Sequence, residues 1–183
     1  MAVTDWKSPG TVVSDDTVGT VAWSNPDNAK TQDNTNFATA EGVPFSVSET
    51  NYLKGTNYGF EIPSGATING IEVRIYAKMS GATASIKKVV VIGGEDKGDS
   101  QGLSSTNTAY LYGGSSALWN AIWGDTDINS SNFGVKVSCE IDTMMGSTQS
   151  MVDVIQIKVY YTESAGTPTV GVKYPLPAFR HSV

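Results

Sequence analysis

Between Gly70 and Lys78 the side chains alternate without a break. Ile71, Val73, Ile75 and Ala77 fall on one register, and Glu72, Arg74, Tyr76 and Lys78 on the other. A repeat of two puts successive side chains on opposite faces of a strand, one toward a core and one toward water. Two later stretches carry the same repeat. Phe133, Val135, Val137, Cys139 and Ile141 alternate with Gly134, Lys136, Ser138, Glu140 and Asp142, and Ile155, Ile157, Val159 and Tyr161 alternate with Val154, Gln156, Lys158 and Tyr160. Half-buried strands need an opposing layer over their apolar faces. A second sheet is the economical cover, so the pattern predicts an all-β, antiparallel β-sandwich.

A chain of 183 residues suits one such domain and a tail. The reading is a sandwich over residues 1–162, with a loop-rich N-terminal segment, followed by an extended arm over 163–183. Charged residues make up only 16% of the chain, against about 25% in an average soluble domain. Together with 19 glycines and many Ser, Thr and Asn, this is the turn-rich composition of all-β proteins found outside cells or on particles. The net charge of −6 argues against a nucleic-acid partner, because phosphate binding depends on clustered Lys and Arg. No long apolar run suggests a membrane-spanning helix, and the first ten residues lack the layout of a secretory signal. Cys139 is the sole cysteine and falls on an apolar register, where it reads as a small core residue.

Turn signals dominate the first 36 residues, with short strands expected at Thr11–Val13 and Thr20–Trp23 and Trp23 anchoring the loop to the core. Strands are expected again at Phe37–Ala40, Phe45–Thr50, 83–92, Thr108–Tyr112 and Val152–Thr162. Pro63-Ser64-Gly65 is a tight reversal, residues 93–107 a long polar loop, and Thr143–Ser150 a hairpin loop. The stretch Ser115–Gly124 reads as one short helix, capped by a serine and stopped by Gly124. After Glu163 the composition shifts. Three prolines and two glycines forbid a helix, Lys173 and Arg180 are unaccompanied by any acid, and Val170, Val172, Tyr174, Leu176 and Phe179 are apolar. These seven residues form a candidate assembly arm, since a free tail gains nothing from so much apolar surface.

Catalytic machinery is scarce. One histidine, His181, near the end, and one cysteine leave no His-based triad and no Cys/His zinc set. Asp15-Asp16, Glu95-Asp96 and Asp125 with Asp127 pair carboxylates in loops, but a glycosidase needs two held at a fixed separation in a cleft. No enzyme and no cofactor is expected. Calcium is the one metal the loops suggest. Asp125-x-Asp127-x-Asn129 begins like a calcium loop but has Ser130 where glycine is needed and Lys136 where glutamate is needed, and the Asn25–Asn34 segment is rich in oxygen ligands. Trp119 and Trp123, four apart, would share a helix face. That face suits a glycan-stacking platform, though the same spacing is more often that of a helix packed on a sheet.

Several motifs occur in an order that resembles a family. They are Trp23-Ser24-Asn25-Pro26-Asp27-Asn28-Ala29, then Asp33-Asn34, then Phe60-x-Ile62-Pro63-Ser64-Gly65-Ala66-Thr67-Ile68-Asn69-Gly70-Ile71-Glu72-Val73. Leu118-Trp119, Asp127-Ile128-Asn129-Ser130-x-x-Phe133-Gly134-Val135 and Val152-Asp153-x-Ile155-x-Ile157-x-Val159-Tyr160-Tyr161 follow. Over roughly residues 8–162 this resembles the jelly-roll-like β-sandwich domain common in tailed-bacteriophage structural proteins. The resemblance implies a virion component, made in the host cytoplasm: a head decoration or cement protein, a head fibre, or a tail module. It brings no catalytic residues with it. On this reading the partners are copies of the chain itself, a trimer being one closed form, and other virion proteins such as the capsid shell. The leading expectation is a capsid-associated decoration protein that assembles through its arm. The alternative is a tail or fibre module that binds host-surface glycan.

Overall fold

The computed structural model describes residues 1–96 and 100–164. The candidate arm residues Val170, Val172, Lys173, Tyr174, Leu176, Phe179 and Arg180 lie outside the described residues.

The chain is an antiparallel β-sandwich with a jelly-roll-like layout. Its strands, in chain order, are β1 (Ala2–Val3), β2 (Thr11–Asp15), β3 (Ala38–Glu41), β4 (Val47–Glu49), β5 (Tyr52–Thr56), β6 (Thr67–Ser80), β7 (Thr83–Val91), β8 (Gln101–Gly102), β9 (Thr108–Gly113), β10 (Gly134–Asp142) and β11 (Gln149–Thr162). Among the described residues one sheet has five strands in the order β1-β11-β6-β9, with β3 also on β11; the other has six in the order β2-β5-β10-β7-β8, with β4 also on β10.

The alternation in sequence becomes the two faces of each sheet. Ile71, Val73, Ile75 and Ala77 of β6 and Ile155, Ile157 and Val159 of β11 are buried from one side. Ile86, Val89 and Val91 of β7 and Val135, Val137, Cys139 and Ile141 of β10 meet them from the other. Fully burying side chains of this size is worth about 1.5–3 kcal/mol each, which is what holds the two layers together. Trp23 anchors the N-terminal segment as expected: it is buried, and its indole N–H donates to the Asn51 carbonyl at 2.8 Å.

Three local expectations need correction. Thr20–Trp23 forms no strand, only isolated bridges such as Val21 to Thr50. Residues 143–148 are not a hairpin loop, because β10 and β11 lie in different sheets and the segment crosses between layers. Ser115–Gly124 is not a helix. Gly113 and Gly114 take positive φ and fold the chain back onto β6, so Gly114 N–H donates to Ile71 O and Ile71 N–H to Ala117 O. Backbone groups that a helix would use internally are spent on the sheet, and Trp119 and Asn120 sit in left-handed conformations at φ 56° and 53°. The short helix is α1, Asp125–Ile128, just downstream; a 3-10 turn occupies Pro26–Ala29.

Candidate functional site

Trp119 and Trp123 part company. Trp119 is 1% exposed, and its indole N–H donates to the Ile71 carbonyl at 3.0 Å, so it offers no face to a ligand. This corrects the expectation of a two-tryptophan platform. Once the helix is replaced by turns, the spacing of four no longer puts both rings on one side.

Trp123 instead lines an open cleft of about 430 Å³ with Ile92, Gly93, Ile122, Thr126, Asp127, Ser130, Asn132 and Phe133. The volume lies in the range of small-ligand sites, roughly 300–1,000 Å³. The ring is held from three sides. Its indole N–H donates to the Leu118 carbonyl at 2.8 Å. Its plane meets Phe133 edge-on, with centroids 5.7 Å apart. Its benzo edge lies against Gly93, where an added Cβ would come within 3.1 Å of the ring. Phe133 in turn packs edge-on against Phe60 at 5.8 Å, and Phe60 stacks on Tyr58 at 6.1 Å. A relay of aromatic rings therefore ties the cleft to the core.

The polar side of the cleft is built by α1. The Asp127 carboxylate accepts the Gly124 N–H at 2.8 Å through one oxygen, and its other oxygen bonds no described residue. Ser130 Oγ accepts the Asn132 N–H at 3.2 Å. The side chains of Thr126 and Asn132, both exposed, bond no other described residue. Among its described lining residues the cleft has one carboxylate, Asp127, and no cation.

The other carboxylates named from sequence serve the fold. Asp15 accepts from Thr17 and pairs with Lys136 at 3.2 Å and Lys54 at 3.7 Å. The hydrogen bond from the Thr17 hydroxyl, reinforced by Lys136 against the opposing effect of burial, brings its pKa down to about 2. Glu95 accepts from Asn120, and Asp96 from the Val89 N–H. Asp125 accepts the Gly65 N–H at 3.2 Å, and Asn129 binds both backbone groups of Ile62. The calcium-like run is thus a joint between two turns. In the Asn25–Asn34 segment, Asp27 pairs with Lys30 and Asp33 caps the Thr35 and Asn36 N–H groups. Among the described residues no three acidic, His or Cys side chains converge as a metal site would require.

Sequence reasoning missed two features. Phe133 was legible only as the first apolar residue of a strand, and nothing in the sequence singled out Asn132 or Thr126. The outer face of the β6–β11 sheet was the other. There Arg74 lies 4.2 Å and Lys158 4.3 Å from the Trp6 ring, and Arg74 also donates to Gln156. Two cations already occupy that tryptophan, so it is a weaker platform than Trp123.

Neither a protein-family model nor a curated protein matches the chain. Among solved structures, a CBM4 structure is similar at 11% identity, with 84% of this chain and 94% of that chain covered and a TM-score of 0.40. The N-terminal cellulose-binding domain of β-1,4-glucanase C from Cellulomonas fimi is 11% identical, with 88% of this chain and 90% of that chain covered and a TM-score of 0.36. The enzymatically active domain of tailspike protein 4 from bacteriophage CBA120 is 14% identical, with 85% of this chain and 19% of that chain covered and a TM-score of 0.33. These likenesses are loose, and the functional reading rests on the cleft.

Proposed function

We propose that this chain is a non-catalytic glycan-binding β-sandwich of a tailed-phage particle, part of a tail or fibre, and that it takes a neutral saccharide in the Trp123 cleft. The carrying observation is the fixed indole of Trp123 beside the second carboxylate oxygen of Asp127 and the unengaged side chains of Thr126 and Asn132. An aromatic face accepts the C–H side of a sugar ring, while a carboxylate, an amide and a hydroxyl match its hydroxyl groups. The absence of a cation among the described lining residues favours neutral sugars over acidic ones. A glycosidase would need a second carboxylate across the cleft, and none of the described lining residues supplies it.

The test is binding of the full chain to a panel of neutral oligosaccharides by calorimetry, with Trp123→Ala and Asn132→Ala alongside. The expected result is binding that weakens about five- to thirtyfold in each variant, since a lost stacking or hydrogen-bonding contact costs on the order of 1–2 kcal/mol. Binding unchanged by Trp123→Ala, or no binding across the panel, overturns the reading.

A capsid-associated decoration protein assembled through its arm is the second reading. The observation that favours it is the exposed apolar end at Phe45 and Met145, for which a lone sandwich has no use.

A further inference from the structure

Among the described residues, five of the eleven exposed large apolar ones cluster at one end of the sandwich: Val43, Phe45, Val47, Met144 and Met145. Phe45 is 81% and Met145 90% exposed. The two loops that carry them are held in place. Thr143 N–H donates to Ser46 O at 2.9 Å, Ser46 N–H to Thr143 Oγ1 at 3.2 Å, and Thr143 Oγ1 donates to Val43 O. Phe45 has a φ of 57°, a left-handed conformation that a bulky aromatic residue rarely adopts. The fold therefore accepts backbone strain and still leaves the ring in water. Between the loops lies a small hollow of about 110 Å³ walled by Pro44, Phe45 and Gly146, with Glu41 at its edge. Asp142 stands beside it, accepting the Met144 N–H. The end is apolar at its centre and acidic at its rim.

We propose that this end receives the C-terminal segment 170–180 of a second copy of the chain. The chemistry is complementary. That segment contains Val170, Val172, Tyr174, Leu176 and Phe179 together with Lys173 and Arg180, and no acid. Apolar residues fill the hollow while the two cations face Glu41 and Asp142.

Chain length favours a contact between copies, because it keeps the first part of the segment away from the chain's own hollow. β11 begins at Gln149, beside these loops, and ends at Thr162, so the tail departs from the far end of a 14-residue strand. At about 3.3 Å per residue that strand spans roughly 43 Å. A chain leaving Thr162 advances at most about 3.6 Å per residue, so the segment's own end of the sandwich comes within reach only near residue 174. Val170 and Val172 fall short on their own molecule, while a neighbouring copy has no such limit. Such an exchange is either reciprocal, giving a dimer, or head-to-tail, giving a ring where the rotation closes and an open filament where it does not. The inference is independent of the saccharide reading.

The test measures the mass of the full chain by sedimentation over a micromolar range, then repeats it with a synthetic peptide of residues 165–183 in excess. Two variants accompany it, Phe45→Ser and Met145→Ser, each checked for an unchanged thermal melt. We expect an oligomer that the peptide competes down to monomer and that each variant weakens at least tenfold. The peptide arm needs no mutation, so a folding defect in Phe45→Ser leaves the test intact. A full chain that is monomeric throughout overturns the proposal. So does an oligomer that the peptide dissolves but neither variant weakens, because the arm would then dock elsewhere.

Discussion

Asn129 grips the backbone of Ile62 with both halves of its amide: the Ile62 N–H donates to Oδ1 at 2.7 Å and Nδ2 donates to the Ile62 carbonyl at 2.9 Å. With the Gly65 N–H on Asp125, this joins the Pro63–Gly65 reversal to α1. Replacing Asn129 by Ala strips two half-buried backbone groups of their partner. The expected loss is about 2 kcal/mol in urea unfolding, with Asn129→Asp, which keeps only the acceptor, losing about half of that.

Gly93 controls the cleft. It lies at φ 101°, and a methyl group there would press on the Trp123 ring. Gly93→Ala should weaken saccharide binding more than Ile122→Ala, which removes a side chain that is 98% exposed. Calorimetry on both variants, with near-unchanged far-ultraviolet dichroism, checks this.

Trp119 is structural. Trp119→Phe keeps most of the buried volume but removes the indole N–H bond to the Ile71 carbonyl, which still accepts from the Gly114 N–H, for an expected loss of about 1 kcal/mol. Trp119→Ala adds a cavity and should cost about 3–5 kcal/mol. Thermal melts of the pair separate the hydrogen bond from the packing.

Burial pushes the Cys139 thiol from its ordinary 9.0 up to about 12. The folded state keeps the proton, so its contribution is fully present below pH 9, falls as the unfolded thiol ionises above that, and is lost by about pH 12. At pH 8 a thiol reagent should label the folded chain on the order of a thousandfold more slowly than the chain in urea, since reaction waits for opening.

Asp15 sets an acid limit. Its folded pKa of about 2 lies below the ordinary 3.8, so its contribution is complete above pH 3.8 and disappears as the pH falls through 2. Discounted for solvent screening, this is on the order of 1 kcal/mol. Asp15→Asn should be less stable than the parent at pH 6 and should lose less than the parent between pH 4 and pH 2 in acid titration of unfolding.

The strands were legible because burial on one face writes itself into sequence as a period of two, which Ile71–Lys78 shows without interruption. Two of the motif runs, around Pro63–Gly65 and Asp127–Ser130, turn out to be the halves of the Asn129–Ile62 joint. No periodicity could have paired them, since the contact spans most of the chain's middle. Ser115–Gly124 misled because its residues favour a helix locally while Gly113 and Gly114 hand the backbone to β6. That override comes from tertiary hydrogen bonding, not from propensity. The cleft was half legible. Trp123 stood out, but Phe133 and Asn132 join it only through the turn after α1.

The central pairing of one sheet, β6 with β11, links Val73 to Ile157 and Ile75 to Ile155, and β1 then adds Ala2 opposite Tyr161. Residues Ala2 and Val3 are thus fastened to β11, the last of the described strands. During synthesis that sheet has no centre until β11 leaves the ribosome, and the apolar face of β6 must wait uncovered. Such non-local closure is slow and exposes strand edges meanwhile. A chain stopped anywhere before Gln149 should therefore be a client for chaperones rather than a smaller folded domain.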